Sequence, residues 1–358
     1  MMEDNKAELA HESKTIYPEK QVVRKHRLLL SAALIAGPLA AMAFSLFFGK
    51  YQASPHDVLN ILIAKLFSHT DQSTSPMLEV AVLHVRLPRI LLAMLVGMSL
   101  SISGASYQGL FRNPLVSSHI LGVASGASFG AALAILYSAP QIMVQLSAFF
   151  FGLIAVGIAL AVSSLYRTSS TLTLVLVGMI ISAFFSSLVS YLTYTADANL
   201  KLPAIVFWLM GSLAGASIKN LAFAIVPITV GIGVLLAIRW KINVLSMGED
   251  EAKALGIDTG RLRFIIVLCC TLITSASVCV SGVIGWIGLI IPHFARMIVG
   301  PDHKALLPAC LSIGAVYLLM VDNLARTFTN SEIPLGILTG IIGAPVFAYL
   351  LTRGERWS

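Results

Sequence analysis

Ten apolar runs follow one another along this chain, most of them long enough to cross a lipid bilayer as a helix. A transmembrane helix needs about 20 consecutive, mainly apolar residues. The runs lie at 28–48, 90–110, 119–138, 142–165, 172–194, 219–238, 264–284, 285–299, 305–325 and 333–351. The run at 285–299 is short and rich in glycine, so nine and eleven spans remain alternatives. The predicted fold class is an all-α polytopic membrane protein with about ten transmembrane helices.

The composition excludes an ordinary soluble domain. Of the 358 residues, 57% are hydrophobic and 11% are charged, whereas soluble domains carry about 25% charged residues. The net charge of +7 is typical of basic residues at the inner ends of membrane helices. No basic stripe with interleaved aromatic residues indicates nucleic-acid binding.

Lysine and arginine are distributed unequally between the segments that join the spans. With the N-terminus inside, the inner segments hold most of them, including Arg24, Lys25 and Arg27 just before the first run. The positive-inside rule therefore predicts that both termini lie in the cytoplasm. Residues 1–27 then form a polar cytoplasmic segment, and residues 28–358 form one transmembrane domain.

Two shorter apolar segments and a weak repeat add detail. Residues 54–67 predict a helix lying in the outer membrane interface, and residues 203–213 predict a short helix packed inside the protein. A Ser-Gly pair is followed by Pro at the same interval in 103–114 and in 281–292. The two copies run in opposite directions across the membrane, which predicts two inverted halves of five helices each.

Several kinds of functional motif are absent from the sequence. There is no GxxxxGK[ST] phosphate loop, so the chain is expected to bind no ATP or Mg²⁺ of its own, and no cysteine or histidine spacing predicts a metal site. Asp322 is the one clear acidic candidate within a span, which disfavours an ion-coupled transporter of organic anions. A membrane-embedded enzyme is also disfavoured, because no HExxH motif or aspartate pair lies in a span. The energy for transport is expected from another subunit.

Two charged features remain to be explained. The inner loop 246–263 carries Glu249, Asp250 and Glu251 where a helix would start and Gly256 where it would end, which predicts either a short helix that meets a soluble subunit or a solvated loop. On the outer side, Arg86, Arg89 and Arg326 oppose the charge bias of the rest of the chain. Their guanidinium groups suit carboxylates of a partner protein. The alternative is contact with lipid headgroups.

Five stretches of this chain resemble the cobalamin/ferric-siderophore/haem permease family of type II ABC importers, whose fold is BtuC-like. They reach from the second span to the C-terminus, and their order along the chain makes the resemblance specific. The stretches begin RLPRILLAMLVGMSLSISGASYQGLFRNPL (86–131), LPAIVFWLMGSL (202–216), GEDEAKALGID (248–258), SGVIGWIGLIIPHFARMIVG (281–309) and DNLARTFTNSEIPLGILTG (322–351).

The resemblance implies a homodimer in the cytoplasmic membrane of a bacterium or archaeon. It implies two cytoplasmic ATPase subunits, which bind the ATP and Mg²⁺, and a substrate-binding protein that docks from outside. The expected cargo is a metal chelate, with ferric siderophore or haem ahead of cobalamin, and an oxyanion such as molybdate is the alternative.

The resemblance also implies roles for particular residues. Arg86, Arg89 and Arg326 match positions that receive acidic residues of the binding protein. Asn113 and Leu115 match part of the cytoplasmic gate, and the polar pair that completes this gate is only partly kept, at Thr171 and Leu172. The segment that meets the ATPase comprises Gly248, Glu249, Asp250, Lys253, Ala254, Leu255 and Gly256.

Overall fold

The computed structural model describes residues 29–48, 54–66, 76–165, 171–329 and 331–353. Throughout these ranges the regular structure is helical and no strand occurs, so the predicted fold class is confirmed. The polar segment predicted at 1–27 lies outside the described residues. Ten apolar helical stretches follow one another, seven of them long enough to cross a membrane and three shorter. This agrees with the predicted number of spans.

The helices are numbered in chain order. The longer ones are α1 (Leu29–Phe47), α4 (Leu87–Phe111), α6 (Gln141–Ser164), α7 (Thr171–Thr195), α9 (Ile218–Ala237), α12 (Thr259–Ser281) and α14 (His303–Thr327). The shorter apolar helices are α5 (Val123–Leu136), α13 (Ile287–Val299) and α15 (Leu335–Arg353). The others are α2 (Pro55–Leu66), α3 (Pro76–Val80), α8 (Lys201–Leu209), α10 (Arg239–Met247) and α11 (Glu249–Ala254). The helices predicted from 54–67 and 203–213 are therefore present as α2 and α8. Helix α8 is not packed inside the described chain as predicted, because Ile205 is its only buried residue.

The second span begins more than ten residues before the run at 90–110 predicted from hydropathy. Helix α3 continues through a π-helical segment, Ala81–Arg86, into α4. Pro88 lies at the start of α4 and has no amide hydrogen to donate to the preceding turn. The amide of Leu87 donates instead to the carbonyl of Val82, which is the wider spacing of a π-helix. This wide turn ends at Arg86 and lies directly before the turn of α4 that carries Arg89.

Helix α4 lies at the centre of the bundle and packs against α9, α12, α13 and α14. Close packing is possible because glycines face each other: Gly97 lies against Gly314 of α14, and Gly104 lies against Gly288 of α13. A Cβ atom on Gly104 would overlap the Gly288 carbonyl oxygen. Small residues of this kind let the backbones of membrane helices approach closely.

An irregular segment separates a long helix from a short one in each half of the chain. Residues 112–122 join α4 to α5, and residues 282–286 join α12 to α13. The two segments meet, since the Nε2 atom of His119 lies 3.1 Å from the carbonyl oxygen of Ile284. The repeat read from the sequence does not occupy equivalent places in the two segments. Ser103-Gly104 lies within α4 and Pro114 lies in the irregular segment, whereas Ser281-Gly282 lies at the end of α12 and Pro292 lies inside α13.

Candidate functional site

The three arginines predicted to lie on the outer side meet at one end of the bundle. The π-helical segment and the start of α4 supply Arg86 and Arg89, and the end of α14 supplies Arg326. Two carboxylates lie among them, Asp322 of α14 and Glu332 of the segment between α14 and α15. We call these five residues the arginine cluster.

Arg89 binds both carboxylates of the cluster. Its Nε and Nη2 atoms donate to Asp322 at 3.1 and 2.9 Å. Its Nη1 atom lies 2.9 Å from a carboxylate oxygen of Glu332. Asp322 also pairs with the Nε atom of Arg326, 3.2 Å away. The planar guanidinium group is suited to this two-sided binding, because its donors form a rigid fork.

The other two arginines bind the end of α1. Arg86 donates to the carbonyl oxygen of Leu46 at 2.8 Å, and Arg326 donates to that of Phe48 at 3.4 Å. The last carbonyl groups of a helix receive no hydrogen bond from an amide of the same helix, and they carry partial negative charge. These arginines therefore fix the first span to the arginine cluster.

All three predicted docking arginines are buried in this chain. The sequence predicts that these arginines lie on the outer side and meet carboxylates of a partner protein. In the structure their carboxylate neighbours, Asp322 and Glu332, belong to the same chain. The spacing of four residues between Asp322 and Arg326 on one helix was the available signal for the first pair. Docking of a binding protein at these arginines remains a prediction.

The predicted inner loop forms a short helix at the opposite end of the bundle. Helix α11 runs from Glu249 to Ala254, within the predicted 246–263. Gly256 has φ +75°, and the amide of Ile257 donates to the carbonyl of Ala252 at 3.0 Å. A left-handed glycine after the last turn is a common end of a helix. The short helix is confirmed, and the solvated loop is not observed.

Helix α11 has one attached face and one exposed face. Ala252 is fully buried, and Glu249 forms an ion pair with Arg263 of α12. The side chain of Asp250 is 98% exposed, and Lys253 and Leu255 are also exposed. The residues predicted to meet an ATPase therefore include an accessible surface with both charge signs.

Polar contacts at this end of the bundle join α10 to α14 and α13 to α4. Asn243 of α10 accepts a hydrogen bond from the His303 amide at 3.2 Å. Arg296 of α13 donates to the side chain of Gln108 at 2.6 Å, and Gln108 donates to the Val116 carbonyl at 3.2 Å. Gln108 of α4 thus holds the 112–122 turn, and Arg296 holds Gln108 in place.

The predicted gate residues lie at the ends of elements on this side of the bundle. Asn113 accepts a hydrogen bond from the Leu115 amide at 2.9 Å within the 112–122 turn. Thr171 and Leu172 begin α7, and the side chains of Leu115 and Leu172 are exposed. Helix α7 approaches the far end of the same turn, where Gly178 faces Leu121. A gating role for these four residues remains a prediction.

The arginine cluster and the α11 end are separated by the length of the central helix. Arg89 and Gln108 lie 19 positions apart in α4, which corresponds to roughly 30 Å at 1.5 Å per residue. This distance matches the hydrocarbon thickness of a bilayer, also about 30 Å. The two charged sites therefore fit the two surfaces of a membrane.

Comparisons with known proteins agree with this architecture. Residues 37–353 match the model of the FecCD transport family. The chain is 44% identical over 312 residues to the molybdate import system permease protein MolB of Haemophilus influenzae, covering 87% of this chain and 92% of that protein. It is 40% identical to a probable iron chelatin transport system permease protein of Helicobacter pylori, covering 80% and 86%.

A solved structure gives the same result at the level of the fold. It is described as an inward-facing conformation of an ABC transporter of the metal-chelate type, and it is 41% identical with a TM-score of 0.81. The match covers 90% of this chain and 98% of that one. The chain therefore belongs to the FecCD family of ABC importer permeases and is a multi-pass membrane protein.

Proposed function

We propose that this chain forms the translocation path of an importer that carries a metal chelate, such as a ferric siderophore or haem, into the cytoplasm. The observation that carries the proposal is the distribution of charge along the described helices. Charged groups gather in the arginine cluster and near α11, and the middle of α4, α7 and α12 has none. A carrier driven by protons or sodium ions needs ionisable groups there. The driving force is therefore ATP hydrolysis on separate subunits.

The two ends then have different partners. We propose that the arginine cluster faces outward and receives acidic residues of a substrate-binding protein. The exposed face of α11, together with Gly248, Leu255 and Gly256, meets the ATPase subunit in the cytoplasm. This orientation agrees with the positive-inside rule and places both termini inside. It also assigns the gate at Asn113 and Leu115, with Thr171 and Leu172, to the cytoplasmic end.

A second copy of the chain is part of the proposal. Helix α7 exposes the hydroxyl groups of Ser186, Ser187 and Ser190 on its surface and has no charged residue. The same helix also exposes Met179, Ile180 and Phe184. We propose that its serines line a path between two subunits, while its apolar side chains contact the second subunit or lipid. Hydroxyl groups can donate and accept hydrogen bonds without trapping a charged cargo. This property suits the passage of a bulky, polar chelate.

Molybdate is a second candidate cargo. The relative named for molybdate import is 44% identical and is matched over 92% of its length. The iron chelatin relative is 40% identical, and this small difference does not separate the two cargoes. Uncharged hydroxyl groups also suit a small oxyanion.

Uptake of labelled cargo tests the proposal. A strain that lacks the gene for this chain is compared with the same strain carrying the full-length gene on a plasmid. The cells receive ferric siderophore, haem, cobalamin or molybdate, each radiolabelled and supplied separately at limiting concentration. We expect plasmid-dependent uptake of a chelate. Uptake of molybdate alone would replace the first cargo by the second, and uptake of none would contradict both.

A further inference from the structure

Arg89 has two carboxylate partners that differ in burial and in the nitrogen atoms of Arg89 that they contact. Asp322 is fully buried, accepts from two nitrogen atoms of Arg89 and also pairs with Arg326. Glu332 contacts only the Nη1 atom of Arg89, and its side chain is 26% exposed. The first carboxylate is enclosed by the protein, and the second covers the guanidinium group from the solvent side.

The backbone around the two carboxylates differs in the same way. Asp322 lies within the 25-residue helix α14. Glu332 lies in the non-helical segment 331–334, whose amide at Ile333 donates to the Ala325 carbonyl at 3.3 Å. A rotation of the Glu332 side chain therefore separates it from Arg89 without moving a helix. The partial exposure of Glu332 lets water compete for its carboxylate, which weakens this ion pair relative to the buried pair of Arg89 with Asp322.

Glu332 supplies one of the two negative charges within the arginine cluster. Three arginines and two carboxylates leave a net charge of +1 among these five residues. When Glu332 moves away, the remaining four residues carry +2 and the Nη1 edge of Arg89 becomes accessible. A carboxylate from a partner would then meet the same donor, with the favourable geometry of a charged hydrogen bond.

We propose that Glu332 is an exchangeable ligand of Arg89. Its carboxylate occupies the Nη1 side of Arg89 until the substrate-binding protein docks, and a carboxylate of that protein then replaces it. Asp322 is the fixed ligand and keeps Arg89 and Arg326 in place during the exchange. The proposal rests on the docking role suggested above for the arginine cluster. Glu332 therefore competes with the binding protein for Arg89. The affinity for the binding protein is lower than it would be if Glu332 did not bind Arg89.

Binding measurements on the complete permease test the exchange. The full-length chain with its ATPase subunits is placed in nanodiscs, and the affinity for the substrate-binding protein encoded with it is measured at two salt concentrations. Glu332→Gln is expected to raise the affinity on the order of fivefold. The reason is that the neutral Gln side chain competes less strongly for Arg89 than the Glu332 carboxylate does. Glu332→Asp, which keeps the charge but shortens its reach, is expected to raise it less.

Glu79→Gln is the matched control. Glu79 is an exposed residue of α3 near the same end of the bundle, so this variant removes the same charge without touching Arg89. Equal affinities for Glu332→Gln and Glu79→Gln would overturn the exchange. Absence of salt-sensitive binding by the wild type would instead contradict the docking role of the arginine cluster.

A chemical measurement without any binding protein separates the two failures. Arginine-selective dicarbonyl labelling of Arg89, quantified by peptide mass spectrometry, is expected to be faster in Glu332→Gln than in the wild type or Glu79→Gln. Equal labelling rates in the three proteins would overturn the exchange, whatever the partner does.

Discussion

Asp322 determines the stability of the arginine cluster because it is the shared anion of two buried arginines. Replacing it by Asn would leave Arg89 and Arg326 without their common charge partner. Removing one member of a buried ion pair costs about 3–5 kcal/mol, since the remaining charge stays desolvated. We expect Asp322→Asn to lower the thermal unfolding temperature in detergent clearly, and Asp322→Glu to lower it less. An Asp322→Asn protein as stable as the Glu79→Gln control would contradict this role.

The sequence predicts part of this cluster and not the whole. Charge bias identifies three arginines on the side where basic residues are rare, and their chemistry predicts carboxylate partners. The pair between Arg89 and Asp322 joins residues 233 positions apart, which no local spacing can indicate. Glu332 follows a turn in a polar segment and has no periodic pattern around it. Such contacts depend on the packing of α4 against α14, which the sequence does not specify residue by residue.

Among the elements, helix α11 allows the sharpest test of coupling. Ala254 is its last helical residue. A proline at this position has no amide hydrogen, and its ring would clash with the Asp250 carbonyl, at a cost of roughly 3 kcal/mol in a helix interior. We expect Ala254→Pro to abolish substrate uptake by the reconstituted transporter while ATP hydrolysis continues. Ala254→Ser keeps the amide and is expected to transport normally.

Uptake by Ala254→Pro at the wild-type rate would show that the shape of α11 is irrelevant to coupling. Loss of uptake in both variants would point to the side chain at this position and would also contradict a role for the helix.

Hydropathy predicts the number of membrane helices but not all of their boundaries. The ten predicted runs correspond to ten apolar helical stretches among the described residues. The second span starts near residue 77 although Arg86 and Arg89 interrupt the hydropathy. Arg86 donates to the Leu46 carbonyl, and Arg89 pairs with Asp322 and Glu332. Helix α10 contains Arg239 and Lys241 and is not apolar, so a search for apolar runs does not find it.

For the whole molecule, the resemblance of five sequence stretches to a permease family predicted both the fold and the transport class. The FecCD match over residues 37–353 confirms the family, and the TM-score of 0.81 confirms the fold. The cargo cannot be predicted in the same way. The exposed surface of α7, which we propose lines the path, carries uncharged hydroxyl and apolar groups, and these groups fit several cargoes of different chemistry.

The central claim is that this chain conducts a cargo while other subunits supply the energy. The most direct test is cargo uptake into proteoliposomes that contain the full chain, its ATPase subunits and the binding protein. We expect uptake only when ATP is supplied on the side of α11. The chain reconstituted alone is expected to hydrolyse no ATP and to show no uptake under an imposed proton or sodium gradient. Gradient-driven uptake by the chain alone, or ATP hydrolysis by it, would contradict the account.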